Sequence, residues 1–269
     1  MPFYLSAFAL LDPMQSFEAK NFEAAKNCML DKVFETDYVE IPLEWNRFGV
    51  DSEDWAISLV DRTNALFRDH KTPFQFKLYR NVEMPDAGVV DRQDNAFWYD
   101  IDANWASKDP TVLSVFTGVL TNGGSNVGLH WCGLGEGYMV LNRVPGEEDG
   151  TEDQMLAHEF GHWMGLHHVF QGSCSDPNDY VSDTTAVDEH NRLNGDTYSW
   201  WSWVWHNTCD GGDWDQPKNF MDYSNVREWF TDGQKYRMLQ YWHYKKYGAI
   251  NDFCMNEEKE EDDSWWKFW

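Results

Sequence analysis

Residues 158–168 have the sequence HEFGHWMGLHH, and this stretch determines how the rest of the chain is interpreted. His158 and His162 stand four residues apart, so on a helix they lie on one face, one turn apart, and both can bind one metal ion. Gly165 can adopt the left-handed conformation that ends a helix and turns the chain back. After such a turn, His168 becomes a third ligand to the same ion.

Three histidines that leave a fourth position for water indicate a catalytic zinc site, because a structural site normally has four protein ligands that include cysteines. Zinc lowers the pKa of its water towards neutrality. Glu159, beside the first histidine, is placed to accept the proton of that water and to deliver it to a leaving amine. The motif therefore predicts hydrolysis of peptide bonds. His167 is an alternative third ligand, although the spacing after Gly165 favours His168.

The five fixed positions of the motif make it specific. In a chain with 9 His and 19 Gly among 269 residues, all five would coincide by chance in on the order of one chain in ten thousand. The alternative interpretation, in which the histidines are satisfied side chains of a buried core helix, requires that coincidence.

The composition excludes several classes of function. The chain has 46 acidic and 21 basic side chains, and its net charge of −25 opposes binding to nucleic acid or to an anionic lipid surface. No apolar run approaches the roughly 20 residues that span a bilayer. Residues 3–11 have the length of a signal-peptide core, but they lack a basic leader and a small-residue cleavage site. The sequence therefore predicts no membrane span and contains no convincing signal peptide.

Periodicity and capping residues predict helices and strands within one globular domain. Ser52 is a candidate N-cap, and the apolar stripe after it predicts a helix of about 17 residues. Further helices are predicted at residues 14–34, 155–166 and 233–247. Short β-rich runs predict strands of one sheet at residues 74–79, 112–121, 127–131 and 138–142.

We divide the chain into an N-terminal extension (1–36), a catalytic domain (37–250) and an acidic, tryptophan-rich tail (251–269). The charges of the tail are typical of a solvated segment whose aromatic residues fold back on the body. A tryptophan-rich run at 200–205 has two interpretations: core packing, or an aromatic wall near the cleft that stacks on a substrate or another protein.

Residues 158–170, followed by Gln171-Gly172-x-Cys174, closely resemble the pappalysin branch of the metzincins, which includes secreted fungal and bacterial members. Residues 219–224, NFMDYS, resemble the Met-turn of that family, and residues 230–238 resemble its closing helix. The resemblance extends over about residues 51–247, with sharp motifs only from His158 onward.

The resemblance implies an α+β fold in which a twisted mixed sheet lies above the zinc helix. An irregular C-terminal half would then hold the Met-turn and the last helix. Met221 would form an apolar floor under the three imidazoles. Tyr223 would swing near the zinc and hydrogen-bond the tetrahedral oxyanion.

The chain also departs from the pattern of this family. Asp183-Thr184-Thr185 stands where the family commonly has Asp-Thr-Pro, and residues 225–228 lack a cysteine that often follows the Met-turn. Asp176, Asp179 and Asp183 lie where related enzymes bind calcium, and carboxylates suit that ion, although solvated loop acids are the favoured interpretation.

Five cysteines leave at least one without a partner in the chain, and their number alone leaves the compartment open. They are Cys28, Cys132, Cys174, Cys209 and Cys254. The family resemblance implies a disulfide between Cys174 and Cys209, and such a bond would argue for secretion. The competing interpretation is five free thiols in an intracellular protein.

Taken together, the motif and the resemblance predict a secreted, zinc-dependent endopeptidase that acts on a protein or peptide substrate. The alternative is a binding or toxin-like module that keeps the metzincin-like scaffold and uses its tryptophan-rich surface. The intact Glu159 speaks against that alternative, because a binding module has no physical need for the base.

Overall fold

The computed structural model describes residues 22–49, 51–85, 89–91, 104–121, 138–143, 150–175, 179–188, 207–209, 214–249 and 254. Several predicted features lie outside these residues: the first part of the 14–34 helix, the 127–131 strand, the tryptophan-rich run and nearly all of the acidic tail. The predicted division into three parts is not tested and stays a prediction.

Four α-helices, one π-helix and five strands make up the regular structure of the described residues. The helices are α1 (Phe22–Asn27), continued by a π-helix (Cys28–Phe34), then α2 (Glu53–Asp69), α3 (Glu152–Trp163) and α4 (Asp232–Tyr247). The strands are β1 (Val39–Arg47), β2 (Phe74–Glu83), β3 (Val89–Asp91), β4 (Leu113–Thr121) and β5 (Tyr138–Asn142).

The strands form one sheet in the order β2-β1-β4-β3, and β5 also pairs with β4. Every pairing among the described strands is parallel, whereas the sequence analysis predicted a mixed sheet. The cause is visible between β1 and β2, because α2 connects them as a crossover helix and such a connection returns the chain in the same direction.

The central strand β1 was not predicted. Ile41, Leu43 and Trp45 alternate along it and are fully buried, but Pro42 interrupts the pattern and a proline argues against a central strand. In the structure, Pro42 pairs with Lys77 of β2, while pairing with β4 begins only at Leu43. The proline therefore lies where β1 has one neighbouring strand rather than two.

Helix α2 has the predicted length and the predicted cap. It contains 17 residues, and the Ser52 hydroxyl accepts a hydrogen bond from the backbone N–H of Trp55 at 3.1 Å. Its inner face buries Leu59, Val60 and Phe67. Helix α3 begins three residues earlier than predicted and ends at Trp163.

The ring of Phe67 is the point at which the sheet, α3 and the chain before α4 meet. Its centroid lies 5.5 Å from that of Phe76 in β2 and 5.7 Å from that of Phe160 in α3. It also lies 6.2 Å from the rings of Phe220 and Phe230. One apolar core therefore holds α3 against the sheet and against the residues that precede α4.

Two disulfides are present among the described cysteines. Cys28 pairs with Cys254 and Cys174 pairs with Cys209, while Cys132 lies outside the described residues. Cys28 and Cys254 are buried in the same core as Met29 of the π-helix. The described residues include no helix that is both long and apolar enough to cross a membrane.

Candidate metal centre

Helix α3 and the turn after it bring the motif histidines together. His158 and His162 are buried on α3 with ring centroids 4.8 Å apart. Gly165 adopts a φ of +83° beyond the end of the helix. Its N–H donates to the carbonyl of His162, and the N–H of Leu166 donates to the carbonyl of Gly161, both at 2.9 Å. This pair of bonds closes the helix C-terminus and reverses the chain.

The reversal places His168 beside the two helical histidines, as the motif predicts. The candidate ligand atoms of the three residues lie within 4.8 Å of one another, and Nε2 of His162 is 3.0 Å from Nε2 of His168. This is the one group of three or more potential metal-ligating side chains within the described part of the chain. His167, the alternative ligand, lies against the ring of Tyr180 at 5.4 Å and is not in the group.

Two backbone carbonyls fix the orientation of the helical imidazoles. Nδ1 of His158 is 2.5 Å from the carbonyl oxygen of Phe220, and Nδ1 of His162 is 2.8 Å from that of Leu166. A carbonyl oxygen only accepts, so each Nδ1 carries the hydrogen and each Nε2 has a free lone pair. Carbonyl partners of this kind fix the tautomer and the ring orientation of a metal-binding histidine.

Burial keeps all three imidazoles neutral at neutral pH. It lowers the pKa of His158 well below the usual value, that of His162 to about 4 and that of His168 to about 2. The neutral imidazole is the form that binds a metal. Three neutral nitrogen donors within 4.8 Å of one another suit zinc, so the residues present fit the ion that the motif implies.

The other predicted site residues lie around the histidines. Glu159 is buried on α3, next to the first histidine. Met221 is fully buried, and its Sδ lies so close to Gly161 that a Cβ there would overlap it. Tyr223 is 52% exposed, so its ring is accessible from solvent, and it lies 4.7 Å from the ring of His168.

The chain at residues 219–222 contacts both parts of the motif, and sequence reasoning did not find these contacts. The Phe220 carbonyl meets His158, and the Met221 carbonyl accepts the N–H of Val169 at 3.1 Å. The side chain of Arg237 donates from Nε to the carbonyl of Gly165 at 3.2 Å. All three contacts join a backbone carbonyl to a distant residue, and a backbone group has no signature in the sequence.

The structure contradicts the interpretation of the acidic loop as solvated acids and does not test the calcium interpretation. Asp179 is 1% exposed, accepts the Thr184 hydroxyl at 2.6 Å, and has its pKa raised to about 7 by burial. Asp183 accepts the Thr231 hydroxyl at 2.7 Å and the N–H of Gly233 at 2.8 Å, and so caps α4. Neither acid is simply solvated, since each binds donors of the protein. Asp176 lies outside the described residues, and a calcium ion here stays a prediction.

The disulfide implied by the family resemblance is present. Cys174 and Cys209 are bonded, with their Cα atoms 5.5 Å apart. The bond links the loop after His168 to the segment that precedes residue 219. A cross-link of this kind restricts the unfolded chain and thereby stabilises the folded one.

The described site thus places a buried glutamate next to three histidines that could hold one metal ion. Residues 137–243 match the peptidase family model described as pregnancy-associated plasma protein-A. This match confirms the resemblance to pappalysin-like metalloproteases over that segment. It does not favour the alternative of a binding or toxin-like module.

Individual proteins similar to this chain are named metalloproteases, in agreement with the family match. Extracellular metalloprotease 1 of Coccidioides posadasii is 40% identical over 112 residues, which are 40% of this chain and 38% of that protein. An extracellular metalloprotease of Neurospora crassa is 40% identical over 95 residues, which are 34% of this chain and 30% of that protein. The alignments thus span well under half of these relatives. A chain from a solved chaperone–substrate complex is 16% identical, with a TM-score of 0.31. That alignment covers 52% of this chain and 25% of the other.

We expect Gly165→Ala to destabilise the protein more than Gly248→Ala. Both glycines have positive φ, at +83° and +73°. A left-handed alanine costs about 1–2 kcal/mol in either place. At position 165 a Cβ would also lie 3.0 Å from the ring of Tyr241, whereas at position 248 it meets nothing within 4 Å. Overpacking at Gly165 should add about 1–3 kcal/mol to the loss, measured by denaturant unfolding of the metal-free protein. Equal losses at the two positions would contradict this.

Proposed function

We propose that this chain is a zinc-dependent endopeptidase whose metal is bound by His158, His162 and His168. One observation carries the proposal: three neutral imidazoles, two of them oriented by backbone carbonyls, converge within 4.8 Å. The metalloprotease names of the relatives support the same function. The substrate is a protein or a peptide.

Each residue at the site has a chemical role in this proposal. Zinc, when bound, supplies a Lewis acid that polarises a carbonyl and acidifies water. Glu159 accepts a proton from the attacking water and then donates it to the leaving amine nitrogen. The Tyr223 hydroxyl donates a hydrogen bond to the oxyanion of the tetrahedral intermediate. Met221, packed against Gly161 of α3, supports the helix from below in the manner of a Met-turn.

We also propose that the protein is extracellular. The two relatives are named extracellular metalloproteases. Disulfides persist in oxidising compartments and are rare in the reducing cytosol. The Cys28–Cys254 and Cys174–Cys209 bonds therefore support secretion rather than an intracellular protein with free thiols.

Metal removal tests the cofactor. Purified protein should contain about one zinc per chain, because the described site has three histidine ligands. A chelator should abolish cleavage of a peptide library, and zinc added back should restore it. Cleavage is followed by mass spectrometry and metal content by elemental analysis. Cleavage that persists after the zinc has been removed would refute the proposal.

Glu159→Gln tests the base. The substitution preserves the size of the side chain and removes the proton acceptor, so turnover should fall by about a thousandfold or more while zinc remains bound. Glu152→Gln is the matched control on the same helix, where the carboxylate pairs with Arg62 at 3.4 Å. Turnover of the control should stay close to that of the wild type. A zinc-loaded Glu159→Gln protein with near-normal turnover would remove Glu159 from this role.

Tyr223→Phe tests the oxyanion donor. Loss of a hydrogen bond that forms mainly in the transition state should lower kcat by roughly ten- to a thousandfold and leave KM and zinc content little changed. Tyr247→Phe is the control, because Tyr247 is 51% exposed on α4 and Tyr223 is 52% exposed at the site. Steady-state kinetics separates the outcomes, since a change in KM alone would assign Tyr223 to substrate binding.

A further inference from the structure

Two buried amide side chains connect helix α4 to the chain beside the histidines. Asn219 and Gln234 are each fully buried. Nδ2 of Asn219 donates to Oε1 of Gln234 at 2.9 Å, and the backbone N–H of Thr231 donates to the same oxygen at 2.9 Å. The hydroxyl of Thr231 accepts the backbone N–H of Gln234 at 3.1 Å, and this second hydrogen bond completes the capping box of α4.

Backbone donors determine the orientation of both amides. The Thr231 N–H can only donate, so the atom of Gln234 that faces it must be the oxygen. Asn219 must then present its NH₂ group to that oxygen. Its own oxygen accepts the N–H of Met221 at 2.9 Å, which is again a donor of fixed identity. The two side chains therefore have one mutually consistent orientation.

Asn219 also closes the turn that contains the partner of His158. Its backbone carbonyl accepts the N–H of Asp222 at 3.1 Å while its side chain holds the N–H of Met221. The Phe220 peptide lies inside this turn, and its carbonyl receives Nδ1 of His158. The Met221 N–H and the Phe220 carbonyl belong to the same planar peptide group. By binding that N–H, the Asn219 side chain therefore sets the direction of the Phe220 carbonyl.

We propose that Asn219 is a positioning residue for the metal centre, held in place by Gln234, and that the pair raises metal affinity by fixing the Phe220 carbonyl against His158. This inference rests on the proposed function, because it takes His158 as a metal ligand. Partners that orient a metal-binding histidine typically contribute 10- to 100-fold in metal affinity or activity.

Asn219→Ala removes both side-chain bonds, and Asn64→Ala is its matched control. The Asn64 side chain also makes two hydrogen bonds, which join α2 to β2. Its Nδ2 donates to the carbonyl of Phe76 at 2.9 Å, and its Oδ1 accepts the backbone N–H of Phe76 at 2.7 Å. We expect Asn219→Ala to weaken zinc binding by about 10- to 100-fold in competition with a chromogenic chelator. Asn64→Ala should lower the unfolding free energy of the metal-free protein and leave zinc affinity within about threefold.

A second pair of variants tests the connection to α4 without altering the turn itself. Gln234→Glu keeps an oxygen for Thr231 and Asn219, and a glutamate suits the third position of a capping box. It should retain zinc affinity within about threefold. Gln234→Leu removes the oxygen and should weaken zinc binding in the same direction as Asn219→Ala. Cobalt(II), added to the full metal-free chain, gives an independent readout, because a displaced His158 changes the visible absorption of a three-histidine site.

The outcomes separate this proposal from the proposed function. Normal zinc affinity in Asn219→Ala, an equal loss of affinity in Asn64→Ala, or an unchanged cobalt spectrum would overturn the positioning role and leave the endopeptidase intact. A wild-type chain that binds zinc tightly and cleaves no peptide would overturn the endopeptidase while the affinity differences still support Asn219. A wild-type chain that binds no zinc would overturn both.

Discussion

The contact between Nδ1 of His158 and the Phe220 carbonyl joins parts of the chain that are 62 residues apart. The three-histidine group depends on it, because the motif alone fixes neither the tautomer of the first histidine nor the position of its ring. A second bond, from the Val169 N–H to the Met221 carbonyl, holds the chain next to His168 to the same turn. One short turn therefore supports the histidines before and after the chain reversal.

The turn at residues 219–222 is supported by the apolar core and by α4. Phe220 packs against Phe67 and Phe230 with centroids 6.2 and 4.7 Å away, so its side chain is held in the apolar core while its carbonyl reaches the site. Asp183 accepts the hydroxyl of Thr231, the N-cap residue of α4. Thr231 also exchanges hydrogen bonds with Gln234, which in addition accepts the side chain of Asn219. The N-terminus of α4 and the turn therefore share one set of hydrogen bonds. Packing of the Phe220 ring and buried polar contacts thus both hold this one peptide group in place.

The sequence was most informative where structure is determined locally. Ser52 predicted the start of α2, and the glycine at position 165 predicted the reversal that delivers His168. Strand β1 was not anticipated because Pro42 interrupts its alternating pattern, and the parallel sheet was not anticipated because the periodicity of a strand does not give the direction of its neighbours. The Phe220 carbonyl and the Cys28–Cys254 pair were missed for a related reason, since spatial pairing over such separations leaves no periodic signal.

The Cys28–Cys254 bond encloses a sequence separation of 226 residues and therefore nearly the whole described chain. A single break in the backbone anywhere between those cysteines leaves two pieces that are still covalently connected. For a protein proposed to cut peptides, a molecule nicked by one of its own copies would keep its mass apart from one added water. Such damage would become visible only after reduction, when the pieces separate on a gel.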